Sequence, residues 1–282
     1  MPDIGFVNGR FTPLAEATVS IEDRGFQFGD GIYEVIRTYH GQPFQLDAHL
    51  ARLERSAKAI ELPLPWGLQQ WATYIHDGIK RSGYPESKVY LQLTRGSAPR
   101  DHLFPASVKP TAVMTVREIK PVDPALQAAG VAVMTMDDWR WGRCDIKSVN
   151  LLPNVMARQK AKQAGAFEAL FIRNGQVTEG AVSNVMVVTA GRVLTAPEGE
   201  RILSGVTRTL VLELAKKEGL SVEERFVTQD ELLRAYEIFL TSTTIEVLPV
   251  IRVDGKTIGP GGSGKPGPVT QKLQAAFRRF TV

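Results

Sequence analysis

Between Leu46 and Ile60 the apolar residues Leu46, Leu50, Leu53, Ala57 and Ile60 recur at the spacing of one helical face. The same period predicts helices around Leu68 to Ile79, near Val155 to Ala164 and over the last stretch, Val269 to Phe280. Elsewhere the pattern turns to alternation. Residues 32–39 set Tyr33, Val35, Arg37 and Tyr39 on one side of a predicted strand, and further strands are expected at 88–94, 111–117, 131–136 and near 184–189. Asn8-Gly9 lies between Phe6-Val7 and Arg10-Phe11, and Asn174-Gly175 between Ala169–Arg173 and Gln176–Thr178. Both read as tight hairpins, because these residues tolerate the positive φ of a type I′ turn. The second leaves Glu179 at or just beyond a strand end. Gly205-Val206-Thr207-Arg208 opens one more helix, with Leu210, Val211, Leu214 and Ala215 on its apolar face. Pro121, Asp123 and Pro124 mark a linker. The mixture predicts an α+β (mixed α/β) chain in two parts, residues 1–120 and 130–282, joined by 121–129.

The length of 282 residues suits one large domain or two smaller ones, and 43% hydrophobic with 23% charged residues is an ordinary globular balance. The net charge of +4 comes without a dense Lys/Arg block, so it speaks for a solvated face or anionic small molecules and against nucleic acid. Cys144 is the only cysteine, which excludes an internal disulfide or a cysteine-built metal site; no metal is expected. Met1-Pro2-Asp3-Ile4-Gly5 has neither a basic n-region nor an apolar h-region, and no uncharged stretch is long enough to span a bilayer. A cytoplasmic protein without a membrane partner is the expectation. Gly259-Pro260-Gly261-Gly262-Ser263-Gly264-Lys265 has the glycine spacing of a nucleotide-binding loop, but Pro266 stands where a hydroxyl must bind magnesium. It reads as a surface turn, with NTP binding a distant alternative.

Five segments carry candidate chemistry. Lys147 lies in Asp145-Ile146-Lys147-Ser148-Val149-Asn150, and Glu179 follows in Thr178-Glu179-Gly180-Ala181-Val182-Ser183-Asn184. Alone, a lysine is a solvated charge and a glutamate beside glycine faces water. Gly205-Val206-Thr207 puts N–H and hydroxyl donors at a helix start, as a phosphate needs, although a permissive glycine alone explains the motif. His49 and Arg52 lie three apart beside the apolar stripe of their helix, so the arginine can turn inward. In Thr94-Arg95-Gly96-Ser97-Ala98-Pro99-Arg100-Asp101-His102, the planar fork of Arg100 matches both oxygens of a carboxylate.

Together with Asp23-Arg24-Gly25-Phe26-Gln27-Phe28-Gly29-Asp30-Gly31-Ile32-Tyr33-Glu34, these segments resemble the signatures of the fold-type IV pyridoxal-phosphate enzymes from about residue 4 to about residue 275. That family includes D-amino-acid, branched-chain and (R)-amine transaminases and aminodeoxychorismate lyase. The resemblance implies a small N-terminal α/β domain, a larger C-terminal domain with a β-barrel-like core, and bound pyridoxal 5'-phosphate. It implies that Lys147 carries the cofactor as an imine and moves the substrate's α-proton, while Glu179 pairs with the pyridine nitrogen. Arg52, from His49-Leu50-Ala51-Arg52-Leu53, is then the phosphate arginine. Leu203, Gly205, Val206 and Thr207 form the phosphate turn, in which Ser204 replaces the family's usual proline. Ser242 and Thr243 belong to the last phosphate-side loop, and Thr244 follows on the substrate side. Arg100 and His102, with Tyr33, are implied to hold the substrate carboxylate, the version of the loop found in D-amino-acid transaminases. A homodimer is also implied, because this loop reaches the partner subunit's site. The expected activity is transfer of an amino group from a D-amino acid such as D-alanine to a 2-oxo acid such as 2-oxoglutarate, with ping-pong kinetics. The branched-chain, (R)-amine and lyase reactions are the alternatives within the family.

Overall fold

The computed structural model describes residues 3–107 and 109–281. Met1 and Pro2, which open the stretch read as lacking a leader, lie outside the described residues. The chain divides into two units, one running to Pro121 and including Ile146–Asn150, the other made of Val122–Asp145 and the residues from Leu151 on.

The first unit contains strands β1 (Ile4–Val7), β2 (Arg10–Pro13), β3 (Gly31–Tyr39), β4 (Gln42–Pro43), β5 (Ser87–Thr94) and β6 (Thr111–Glu118), with helices α1 (Arg24–Phe28), α2 (Leu46–Ala59) and α3 (Leu68–Ser82). Asn8, at φ 48°, takes the left-handed backbone that its Asn-Gly pair predicts and folds β2 back on β1. The sheet runs β2-β1-β6-β5-β3-β4, antiparallel throughout. Leu50, Leu53 and Ala57 of α2 and Trp71, Ile75 and Ile79 of α3 bury against Ile32, Ile36, Val89 and Leu91 of the sheet. Each large side chain so buried contributes about 1.5–3 kcal/mol.

Two expectations about the division need correction. Ile146–Asn150 falls in the stretch expected to form the C-terminal domain but packs with the first unit: Ser148 bridges Ile32, the Val149 N–H donates to Gly31 O (3.1 Å), and Ile146 joins the first unit's core. Nor is 121–129 a bare linker. The Asp123 side chain accepts from the Ala125 N–H (2.8 Å) and Pro124 begins a helix, α4 (Pro124–Ala129), which buries Gln127.

After α4 the second unit continues with β7 (Val131–Asp137), α5 (Leu152–Gln163), β8 (Glu168–Arg173), β9 (Gln176–Gly180), β10 (Asn184–Thr189), β11 (Arg192–Thr195), α6 (Val206–Lys217), β12 (Ser221–Glu224), β13 (Val227–Thr228), α7 (Gln229–Leu233), β14 (Glu237–Ser242), β15 (Glu246–Val253), β16 (Lys256–Thr257) and α8 (Pro268–Arg278). The sheet order is β12-β11-β10-β14-β15-β7-β8-β9-β13, with β16 on β15. Four strands separate β10 from β9 in this order, yet the two touch. The sheet therefore curls into the barrel-like core that the resemblance implied. Val185, Val187, Ile238, Leu240, Leu248 and Val250 fill it, while α6 and α8 pack together on β14.

The glycine-rich turn before α8 has no phosphate cradle. The Glu237 carboxylate already occupies the α8 N-terminus, accepting from the N–H groups of Val269 (3.0 Å) and Thr270 (2.8 Å) and from the Thr270 hydroxyl (2.7 Å). A second anion there would meet like charge.

Candidate functional site

Lys147 is held by its backbone. Its carbonyl accepts from the Tyr33 N–H of β3 (2.9 Å) and its N–H donates to the Ser56 hydroxyl of α2 (3.2 Å). The ammonium Nζ lies 4.3 Å from the Tyr33 ring centroid, so two of the expected site residues meet. Tyr33 itself stacks at 5.7 Å on Tyr90, whose hydroxyl donates to Gln92 (2.7 Å) and is pushed up to about 12 by burial.

Glu34, the next residue of β3, turns to the opposite face, where α2 delivers His49 and Arg52. The Arg52 fork donates to both Glu34 oxygens (2.7 and 2.9 Å), and His49 Nδ1 lies 2.8 Å from Oε2. All three residues are buried. Burial opposes the Glu34 charge, but the guanidinium and the two hydrogen-bonded partners outweigh it and hold the carboxyl well below the usual range. Burial also pushes the His49 imidazole below its ordinary value, only partly offset by Glu34.

Arg100 and His102 lie in the exposed loop after β5 and gather at one aromatic ring. The Arg100 guanidinium is 4.8 Å and the His102 ring 5.3 Å from the Phe28 ring centroid. Among the described residues Arg100 has no carboxylate within ion-pairing distance, and its guanidinium rests on the Phe28 ring.

In the second unit, Glu179 sits near the end of β9 as the hairpin pattern predicted, buried and closely held. Its carboxylate accepts from Asn184 Nδ2 (3.0 Å), from the Leu203 N–H (3.1 Å to Oε2) and from Arg140 NH1. Arg140 also forks onto Asp138 (2.9 Å twice), whose side chain is shielded from solvent and lies 3.1 Å from Arg173. Although burial works against its charge, these two carboxylates hold the Arg140 guanidinium above the usual arginine range. The intervening turn is fixed by buried Glu168, which accepts from the Val182 N–H (3.2 Å) and the Ser183 hydroxyl (3.1 Å). Desolvation pushes that carboxyl upward. Cys144 packs nearby as a buried thiol pushed up to about 11 by burial, which leaves it protonated and inert at neutral pH.

Helix α6 begins at Gly205 without a side-chain cap, which leaves its first N–H groups open. Gly205 is required by close approach, since a Cβ would run into Asn184 Oδ1. The Asn184 amide thus spans Glu179 and the phosphate-turn candidate, donating to Leu203 O (2.9 Å) as well. Thr207, in the first turn, is buried, while Arg208 turns away to Ala196 O (2.7 Å) and Glu224 (2.6 Å). Ser242, Thr243 and Thr244 lie at the turn between β14 and β15, where the buried Ser242 hydroxyl oxygen has no hydrogen-bond partner among the described residues.

The family model for amino-transferase class IV matches residues 31–253. The chain is 48% identical to a D-alanine aminotransferase of Bacillus licheniformis over 271 residues, covering 96% of this chain and 94% of that protein. It is 40% identical to one from Staphylococcus haemolyticus, covering 98% and 96%. The chain belongs to the class IV aminotransferases. Among solved structures, a T.th. branched-chain amino acid aminotransferase with pyridoxamine 5'-phosphate superposes on this aminotransferase with a TM-score of 0.91, at 26% identity and covering 100% and 95% of the two chains. The Escherichia coli branched-chain enzyme gives 0.89 at 25% identity, covering 99% and 94%.

The donor set of this aminotransferase fits a phosphorylated pyridine. An uncapped helix start and an unpartnered buried hydroxyl suit the phosphate. A buried carboxylate backed by Arg140 suits a protonated ring nitrogen. Sequence reasoning missed Arg140 and Asp138 entirely and gave Asn184 and Glu34 no role. Glu34 had a usable signal, since strand alternation puts it opposite Tyr33 and over the helix that presents Arg52. Arg140, in Trp139-Arg140-Trp141, offers none.

Proposed function

We propose that the protein is a pyridoxal-phosphate-dependent D-amino-acid aminotransferase that moves an amino group from D-alanine or a similar D-amino acid to a 2-oxo acid such as 2-oxoglutarate. The observation that carries this reading is the 48% identity to a D-alanine aminotransferase along nearly the whole chain. Arg100, which pairs with no carboxylate among the described residues and shares the Phe28 ring with His102, supports it chemically, as a cation suited to a substrate carboxylate.

When bound, the cofactor supplies the electron sink that lets an amino acid lose its α-proton. Lys147 anchors it and its Nζ takes that proton, and the backbone hydrogen bonds to Tyr33 and Ser56 keep the side chain in one place for both tasks. Glu179 would pair with the pyridine nitrogen, and Arg140 lies against the same carboxylate. The phosphate is held by the N–H groups of Gly205, Val206 and Thr207, by the hydroxyls of Ser242 and Thr243, and by Arg52, with Leu203 closing the turn. Tyr33, Arg100, His102 and Thr244 bind substrate.

The reading includes a cytoplasmic homodimer in which the Arg100 loop serves the partner subunit's site. Ile21 at 80%, Phe26 and Leu103 at 75% and Phe104 at 53% exposure support a covering surface on the first unit. No helix of the described residues is long and apolar enough to cross a membrane. Steady-state assay tests the activity: release of pyruvate from D-alanine with 2-oxoglutarate as acceptor, compared with turnover of L-leucine. Preference for L-leucine supports the branched-chain reaction of the structural neighbours instead.

A further inference from the structure

The Arg100 loop is built more firmly than its exposure suggests, and one side chain lies at the centre of the construction. Phe28 is the last residue of α1, a single turn capped by Asp23, whose carboxylate accepts from the Gly25 N–H (2.9 Å) and from the Thr94 hydroxyl of β5 (2.9 Å). Three cations or potential cations surround its half-buried ring: Arg24 at 4.8 Å, Arg100 at 4.8 Å and His102 with ring centroids 5.3 Å apart at 50°. Arg24 is neutralised by Asp30 (2.8 Å), which also takes Arg95 (2.9 Å). Its NH1 donates to the carbonyl of Asp101, the residue between Arg100 and His102 (2.5 Å). The base of the loop is closed at Gly96, where φ is +87° and a Cβ would run into Lys109 O. Backbone and one counter-ion are therefore fixed, while the two side chains meant for substrate rest on an aromatic face.

We propose that Phe28 is the positioning residue of the substrate-carboxylate trap, holding Arg100 and His102 side by side before substrate arrives. This rests on the reading above, in which those two residues bind the carboxylate. An arginine tip with no ion pair samples many rotamers, and ordering it on binding costs affinity. The negative face of a ring within about 6 Å of a guanidinium restricts it without neutralising its charge, which a carboxylate at the same place would do. The arrangement suits a trap that must release one carboxylate product and accept another in each cycle.

The test is the kinetics of the holoenzyme with Phe28→Leu, which keeps apolar bulk and removes the ring face. KM for D-alanine and for 2-oxoglutarate should both rise about three- to fivefold, the change expected from losing an exposed cation–π contact, with kcat within about twofold. Phe28→Tyr, which restores the face, should return both to near the wild-type values. Unchanged KM, a loss confined to kcat, or failure of tyrosine to rescue overturns the proposal. Arg100→Ala separates the two layers of the argument. If it leaves KM unchanged, the carboxylate reading itself fails. If it raises KM about 10- to 100-fold, as loss of a charge-assisted bond should, and Phe28→Leu does nothing, only the platform fails. Should Phe28→Leu not fold, the wild-type enzyme carries the test alone: with only four histidines, the His102 ring resonances of labelled protein can be assigned, and they should be displaced from random-coil positions by the Phe28 ring current. Random-coil shifts for His102 overturn the proposal.

Discussion

Replacing Arg140 by methionine removes a cation that touches both Asp138 and Glu179. The ion-paired side chains are nearly dry, at 6% exposure for Arg140, 0% for Asp138 and 7% for Glu179. Methionine fills the space over the Phe171 ring, where the guanidinium carbon now lies 4.5 Å from the centroid, so packing loss is small and charge dominates. Asp138 keeps Arg173, and Glu179 keeps the Asn184 amide and the Leu203 N–H. Breaking a buried pair from one side costs about 3–5 kcal/mol, because it leaves uncompensated charge. At about 2–4 °C per kcal/mol for a chain of this size, the melting temperature of the cofactor-free protein should fall by about 6–20 °C. Part of that loss should return with added pyridoxal phosphate, since a protonated pyridine nitrogen supplies Glu179 with a replacement positive partner. Thermal unfolding followed by circular dichroism, with and without cofactor, is the assay. A change below about 2 °C would refute the assignment of Arg140 as the charge that holds Glu179.

Lys147→Ala should abolish transamination, because one substitution removes both the cofactor's anchor and the group that moves the α-proton; near-normal turnover by pyruvate release would contradict the site. The buried His49 and Glu34 should make the protein acid-sensitive in two stages. Both folded-state pKa values lie below their ordinary ones, so the stability these groups contribute is present at higher pH; His49's share is lost as pH falls below about 6.5 and Glu34's as it falls below about 4.5. His49→Gln should flatten the melting temperature between about pH 7 and 5 relative to wild type, and identical slopes over that window would contradict the burial argument.

Local structure was legible where one short-range rule decides it. Asn8 and Asn174, at φ 48° and 53°, closed the hairpins their dipeptides announced, and Leu210, Val211, Leu214 and Ala215 all turned into the core from α6. β14 and β15 escaped because Glu237–Ser242 and Glu246–Val253 are buried on both faces over most of their length and show no alternation. Pro124 misled in the other direction: proline breaks a helix internally but starts one readily, and a capping Asp123 decides which. For the site, residues in recurring motifs could be found by resemblance, whereas Arg140 reaches Glu179 across 39 positions of sequence. Phe28 lies within such a motif, but its role depends on a loop more than seventy residues later. Such pairings are products of tertiary structure and leave no local mark.

The central claim is best tested by a single half-reaction. Purified protein reconstituted with pyridoxal phosphate should show a visible absorption band, and D-alanine added without any 2-oxo acid should bleach it with release of one pyruvate per site, while L-leucine leaves it in place. Bleaching by L-leucine alone would contradict the D-amino-acid assignment, and the absence of any band would contradict the roles given to Lys147 and Glu179.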